Sequence, residues 1–394
     1  MERTNMAWVE RRVRKDSKGK QQVTYRVRWR EPDGRARAKS FPRKVDADRY
    51  AATVSADIVR GHYFDLDAGK VPFEEYALKW LAAQTFDEGT YEATELRLRL
   101  HAYPFLGPLL LKEIQPFTIQ TWLRGLDGLA PTYRRVLYSN VSTVFTAAVD
   151  DKLIQQNPCT AKSVRRPKLD PKKVVPWTLD RVLAVQAKLP ERFALVVALG
   201  AGLGLRQGEI FGLSIDDLDL EKNEVSVQRQ IKVRNGNKLI FGLPKGRKTR
   251  TVPLPGVVLE AINEHVSARP PRAVTLPWDK LDGPKHTANL LLTTRQAGAI
   301  NRNNFNPYIW RPALIAAGVE LRRENGCHAL RHFYASTLLD SGESIKALSE
   351  YLGHADPGFT LRTYTHLMPT SAERTRNAIN ETLRVPSAPP EEPD

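Results

Sequence analysis

Seven polar residues in the second half of this 394-residue chain are of the kinds that phosphoryl transfer needs. GLRQGEI holds Arg206 and Glu209, three apart and therefore on one helical face. LPKGRKTR sets Lys245 on a tight glycine-containing turn, and HALRH holds His328 and Arg331, again three apart. YLGHADPGFTLRTYTHL supplies His354 and Tyr364. A phosphodiester is anionic and resists attack, so planar guanidinium forks, imidazoles, an ammonium and a hydroxyl nucleophile make a coherent set. Each motif alone has a plainer reading. Arginine beside glutamate is ordinarily a surface ion pair worth about 0.3–0.5 kcal/mol, a histidine one turn from an arginine is a structural hydrogen bond, and a lone tyrosine is packing.

The elements that would position these residues fall into segments. Composition is that of a globular protein, 41% apolar and 26% charged, but the formal net charge is +16. Such an excess attracts polyanions, nucleic acid first among them. Residues 1–50 carry 16 Lys/Arg against 7 Asp/Glu, which points to a dedicated basic module. Within it, VTYRVRWR alternates strictly. Val23, Tyr25, Val27 and Trp29 take one face, and Arg26, Arg28 and Arg30 take the other, as a surface for phosphates or a groove. Partner strands are predicted at Trp8–Arg14 and Arg35–Phe41, and a helix from Val45 to Ile58. Domain one is therefore set at 1–65.

Helical periodicity takes over at 73–84, 93–106, 116–126 and 131–154, giving a helical domain over 71–160. AKSVRRPKLDPKKVVP (161–176) has no apolar period and six cations, among them Arg165, Arg166, Lys172 and Lys173. It reads as an exposed linker lying along phosphate. The third domain, 177–384, opens with helices, including 192–204. It continues through a strand at NEVSVQRQIKV, an Asn235-Gly236 turn and a strand at KLIFGL, and is helical from there onward. Residues 385–394 are rich in proline and acid and read as a disordered tail. The fold class is multidomain α+β: a three-stranded sheet with one helix, a helical domain, and a mixed, mainly α domain with a small antiparallel sheet.

Other chemistries are weaker. Two cysteines, Cys159 and Cys327, provide neither a disulfide framework nor a CxxC pair. There is no P-loop motif. Asp216, Asp217 and Asp219 in SIDDLDL could pass for a metal-nuclease cluster but read as solvated turn residues. His328 and His332 at i, i+4 could mimic a zinc pair, but Arg331 beside them would repel a cation. No metal or cofactor is expected. Tyr334 and Tyr351 lie in apolar helical patterns and read as core. With a charged N-terminus and no apolar run of about 18 residues, the protein is expected in the cytosol, off the membrane.

The order Arg, Lys, His-x-x-Arg, His, Tyr at these intervals resembles the tyrosine recombinase family, that is, phage-type integrases and Xer-type resolvases. The resemblance implies that Arg206 is the first family arginine, supported by Glu209, and that Lys245 is the β-hairpin lysine. It further makes His328 and Arg331 the HxxR box, His354 the LGH-box histidine, and Tyr364 the nucleophile. One departure is Phe333, where many members carry a small hydroxyl residue; it reads as packing. In these roles Arg206 and Arg331 would face the non-bridging oxygens, and His328 would accept the tyrosine proton. His354 would hydrogen-bond a phosphate oxygen, and Lys245 would protonate the departing 5′-oxygen.

The resemblance also implies an arm-binding N-terminal domain and a core-binding helical domain that clamps the duplex with the catalytic one. The partners would be double-stranded DNA at core and arm sites, a host DNA-bending factor and a directionality factor. A homotetramer on DNA would form, helped by a C-terminal helix over 370–383 that carries Ile379 and Leu383; the alternative is a helix packed on its own domain. The implied activity is integration or excision of a phage or mobile element through a 3′-phosphotyrosyl intermediate and a Holliday junction, in the bacterial cytosol. A type IB topoisomerase and an inactive DNA-binding regulator are the competing readings.

Overall fold

The computed structural model describes residues 7–15, 21–31, 34–59, 68–168, 174–354 and 356–364, with Arg376, Ile379, Asn380 and Leu383 beyond them. The chain divides into two compact units, 1–170 and 171–394. The boundary falls inside the stretch 161–176.

The first unit opens on antiparallel strands β1 (Trp8–Lys15), β2 (Gln21–Arg30) and β3 (Ala36–Phe41), with β2 central. Alternation along β2 turns Val27 and Trp29 toward helix α1 (Lys44–Val59). There they join Ala47, Ala51, Val54 and Ile58 in a core of their own. The other face is basic, as its sequence predicts, but not purely so. Glu10 pairs in register with Arg26, and its carboxylate lies 4.0 Å from Arg28 and 3.6 Å from Arg12.

Five helices follow: α2 (Phe73–Ala82), α3 (Glu88–Arg97), α4 (Tyr103–Leu106), α5 (Pro116–Gly125) and α6 (Pro131–Asp150). Their apolar stripes meet around Phe73, Leu98, Leu106, Trp122 and Phe145. Between α3 and α4 the helix widens into a π turn over Leu98–Ala102. Pro104, just beyond, has no N–H to give the preceding turn, and the wider turn absorbs the mismatch. Residues 161–168, predicted as exposed linker, are tied to this unit. Val164 is buried in its core, the Arg165 amide donates to Gln120 Oε1 at 2.8 Å, and Arg135 donates to the Pro167 carbonyl at 2.9 Å. One valine in a Lys/Arg/Pro run carries no period by which to recognise this.

The second unit begins with α7 (Leu179–Lys188), α8 (Glu191–Leu203) and α9 (Gln207–Gly212). Strands β4 (Leu218–Asp219), β5 (Glu224–Val227), β6 (Gln230–Arg234), β7 (Lys238–Gly242) and β8 (Arg250–Pro253) come next. They are followed by α10 (Gly256–Ala268), a hairpin of β9 (Arg272–Pro277) and β10 (Lys285–Leu290), and then α11 (Arg302–Phe305) and α12 (Arg311–Ala316). The described chain closes with α13 (His328–Asp340), α14 (Ile345–Leu352) and α15 (Pro357–Tyr364).

Three departures from the sequence reading appear here. First, NEVSVQRQIKV is two strands rather than one, because β5 pairs with β8 while β6 pairs with β7. Arg229 between them turns inward to Asp217, Nη1 to Oδ2 at 2.6 Å. Second, Asp217 is therefore not a solvated turn residue. It is 3% exposed, and its carboxylate also accepts the Ser214 amide at 2.9 Å. Third, β9–β10 is a hairpin within a stretch predicted to be helical. Both strands are short, and their apolar residues alternate only over a few positions.

Candidate active site

The site is assembled where α8, α9, β8, α13, α14 and α15 meet. Helix α8 ends at Gly204 in the left-handed conformation, φ 63°. A side chain could not follow there, because a Cβ would lie 2.4 Å from the Tyr334 ring. The Gly204 carbonyl accepts from Arg331 Nη1 at 2.8 Å. Two residues on, Arg206 starts α9 with its amide donating to Glu209 Oε2 and its Nη1 to Glu209 Oε1, both at 2.9 Å.

Glu209 is the electrostatic hub. It is 1% exposed. Arg250, at the start of β8, grips the carboxylate from the other side, Nη1 to Oε1 at 3.0 Å and Nη2 to Oε2 at 2.7 Å. Burial by itself would raise the carboxyl pKa, but the hydrogen bonds and charges of Arg250, then Arg206, outweigh it and hold Glu209 at about 2. Arg250 stands inside the motif that drew attention to Lys245, and nothing in its local spacing marks it. Only the fold brings it to Glu209.

Three arginines converge on the C-terminus of α14. Arg250 Nε donates to the Tyr351 carbonyl at 2.6 Å, Arg331 Nη2 to Leu352 at 2.5 Å and Arg206 Nη2 to Gly353 at 3.3 Å. A helix end presents such carbonyls unpaired with a partial negative charge, which is why cations settle there. The Gly353-His354 step supplies the geometry. Gly353 takes φ 61°, and the His354 amide reaches back to the Ser349 carbonyl at 2.9 Å, closing the helix and aiming the next side chain. A Cβ on Gly353 would sit 2.9 Å from Arg250 Cδ.

His354 is held at both ring nitrogens. Arg331 Nη2 lies 2.9 Å from Nε2, and Thr360 Oγ1 lies 2.6 Å from Nδ1. A guanidinium only donates, so Nε2 is the acceptor and Nδ1 carries the proton. Burial first, and then Arg331, Arg206 and Arg250, push His354 down to about 3, so the ring is neutral. This differs from the expectation that it hydrogen-bonds phosphate: in this arrangement both nitrogens serve the protein. Arg331 is 1% exposed, and its Nε–H has no hydrogen-bond partner among the described residues.

Tyr364, at the end of α15, is 1% exposed and packs with Tyr334, Leu339, Leu348 and Leu352. Its hydroxyl lies 2.7 Å from Nδ1 of His332, not against His328. Burial raises the hydroxyl to about 12, while Arg331 and Arg206 pull in the opposite direction. His332 is half-buried and pushed down to about 4 by burial and then by Arg331. Its ring meets that of His328 edge-on, with centroids 4.7 Å apart. His328 itself is exposed. Loss of water first, then His332, Arg331 and Arg206, lowers its pKa to about 3. Sequence spacing weighed His332 only as half of a zinc pair, whereas the turn of α13 that carries Arg331 carries this ring to Tyr364. Of the competing tyrosines, Tyr334 is buried and Tyr351 is half-buried against the cores, as predicted.

Lys245 is apart from this cluster. It is exposed in the turn between β7 and β8, which closes with the Arg247 amide on the Pro244 carbonyl at 2.9 Å. In the first unit Arg28 and Arg30 are exposed and Arg26 is half-buried. Arg165 and Arg166 are exposed. Arg165 lines a cleft with Arg124, Arg134, Lys168 and Phe117, residues the sequence reading did not single out. Lys172 and Lys173 lie outside the described residues. Of the C-terminal helix expected over 370–383, Arg376, Ile379, Asn380 and Leu383 are helical, with Ile379 and Leu383 exposed; the rest, with the tail 385–394, lies outside. No helix among the described residues is long and apolar enough to cross a membrane.

The Phage integrase family profile matches residues 178–370, and that of the phage integrase N-terminal SAM-like domain matches 72–126. A "Tyrosine recombinase XerC-like" protein of Caldanaerobacter subterraneus subsp. tengcongensis is 30% identical over 288 residues, 69% of this chain and 71% of its own length. A putative prophage phiRv2 integrase of Mycobacterium tuberculosis is 28% identical over 367 residues, 90% of this chain and 91% of its own. Among solved structures, Tn1549 transposon integrase in complex with a circular intermediate DNA superposes with TM-score 0.65 at 20% identity, covering 79% of this chain and 99% of that one. A lambda integrase tetramer bound to a Holliday junction gives 0.57 at 16%, covering 87% and 92%. The chain belongs to the phage integrase family of tyrosine recombinases and is a site-specific DNA recombinase.

Proposed function

We propose that Tyr364 is the nucleophile and that Arg206, Arg331, Lys245 and the histidines His328 and His354 serve it. Tyr364 Oη attacks the scissile phosphorus, the bond to the 5′-oxygen breaks, and the 3′ end is left on the tyrosine. The 5′-hydroxyl of a second strand reverses the step, so the diester energy is conserved without ATP. Two such exchanges pass through a Holliday junction and integrate or excise a mobile element. The observation that carries this reading is the Tyr364 hydroxyl, buried beside the Arg331 and Arg206 charges that lower its pKa against burial.

Arg206 and Arg331 are the groups suited to the non-bridging oxygens. Glu209 holds one and His354 the other, so little side-chain entropy is left to lose when phosphate arrives. The unpaired Arg331 Nε–H leaves donor capacity for it. Lys245, on an exposed turn and without a partner among the described residues, is the candidate acid for the 5′-oxygen. The basic sheet face with Arg26, Arg28 and Arg30 fits an arm-type DNA site, and the Arg165 cleft and Arg166 fit core DNA. Assembly as a tetramer is proposed from the lambda integrase likeness. A DNA-bending factor, a directionality factor and a bacterial cytosolic location are proposed from the family resemblance.

The test is a nicked suicide duplex carrying the crossover sequence, from which the 5′-hydroxyl fragment is lost. Without metal or ATP, wild type is expected to give a covalent adduct on a denaturing gel and Tyr364→Phe none. No adduct on well-bound DNA would leave a DNA-binding regulator. An adduct with relaxation of plasmids that lack the crossover sequence would favour a topoisomerase.

A further inference from the structure

We infer that His332, rather than His328, takes the proton from Tyr364; this rests on Tyr364 being the nucleophile. The only hydrogen bond of Tyr364 Oη among the described residues is to His332 Nδ1, at 2.7 Å. With the residue 1% exposed, the phenol is shielded from bulk water. The hydroxyl must give its proton to something as its oxygen bonds phosphorus, and His332 is in reach before the reaction starts.

The protonation states agree. Nδ1 accepts from the phenol, which places the resident ring proton on Nε2, where the described residues supply no competing acceptor. The ring is surrounded by Arg331 and His328 from its own helix, His354 from the turn after α14, and Tyr364 from α15, with Arg206 near the phenol. None of these carries a negative charge at pH 7, so the ring is neutral there and its lone pair is free to bind a proton. As the Tyr364 Oη–P bond forms, the phenolic proton passes to Nδ1 and the ring becomes an imidazolium. The incoming phosphate brings the anionic charge that this cation requires. In resealing, the P–Oη bond breaks, and Nδ1 returns the same proton to the departing phenoxide. The histidine is thus restored and no outside acid or base is consumed.

His328 lacks that contact: the residue is exposed, and among the described residues it makes no hydrogen bond to Tyr364. Its edge against His332 helps to fix the plane of that ring.

Single-turnover cleavage of the suicide duplex between pH 5.5 and 9.5 tests this with the full-length protein. The variants are His332→Asn, which keeps an acceptor near Nδ1 but no proton site, His332→Ala, and His328→Asn. His332→Asn is expected to bind the duplex like wild type. It should cleave on the order of 10²–10⁴-fold more slowly near pH 7, with a rate that keeps rising about tenfold per pH unit where wild type has levelled off. His332→Ala should show the same slope, whereas His328→Asn, even where it cleaves more slowly, should level off with pH as wild type does. Three results overturn the inference: His332→Asn cleaving as fast as wild type, cleaving faster because the ring is a latch, or slowing with an unchanged pH profile as a structural loss would. If wild type forms no adduct, the recombinase chemistry of Tyr364 fails and this inference falls with it. If wild type forms one, failure is confined to His332.

Discussion

Arg250 binds Glu209 through both terminal guanidinium nitrogens, at 3.0 and 2.7 Å, and its third nitrogen, Nε, donates to the Tyr351 carbonyl. One side chain thereby ties strand β8 to the support of Arg206 and to the helix end that aims His354. Arg250→Lys keeps the charge and loses the fork, so it is expected to cleave suicide DNA far more slowly while still binding it. Arg250→Ala leaves a buried carboxylate short of a partner and should lower stability by about 3–5 kcal/mol in denaturant titrations. Wild-type cleavage by Arg250→Lys would mean that the charge alone suffices.

Gly353→Ala combines a left-handed backbone with a Cβ 2.9 Å from Arg250 Cδ. The backbone strain alone is expected to cost about 1–2 kcal/mol, and displacement of Arg250 should slow cleavage further. Thermal unfolding and adduct yield, read together, check both effects. A change in stability with full adduct yield would show that Arg250 yields without disturbing the site.

Acid should act in two windows. His332 sits at about 4 and His354 at about 3, both below the ordinary histidine value of about 6.5. The unfolded chain binds those protons first, so stability is full above about pH 6.5 and declines as pH falls toward the folded values. Glu209, at about 2, contributes stability that is full above about pH 4.5 and is lost as pH falls through about 2. Melting temperature against pH should therefore decline in both windows in wild type. His332→Asn should flatten part of the upper window and Glu209→Gln the lower one. An unchanged curve in either variant would mean that its group titrates normally.

For the basic sheet, replacing Arg26, Arg28 and Arg30 together by alanine should weaken binding to arm-type DNA. If all three meet phosphate, the log–log salt slope should flatten by about 2.7, at about 0.9 per contact. Glu10, 4.0 Å from Arg28, restrains that side chain, so Glu10→Gln is expected to strengthen binding. An unchanged slope in the triple variant would remove this face from the DNA interface.

What the sequence determined by itself was everything carried by short-range order. The spacing of Arg206 and Glu209, of His328 and Arg331, and the Gly353-His354 step fixed which side chains share a helical face or turn. Strict alternation in VTYRVRWR fixed the faces of β2. The tertiary structure decided which of these faces meet. Arg250 looked like one more cation in a basic loop until β8 paired with β5 and delivered it to Glu209. Asp217 looked solvated until Arg229 turned inward. His328 and His332 are a turn apart on one helix, and no local rule tells them apart; the docking of α15 decides which one touches Tyr364. Periodicity reports which way a side chain faces, whereas a proton or a charge answers to its neighbour across the fold, and only packing chooses that neighbour.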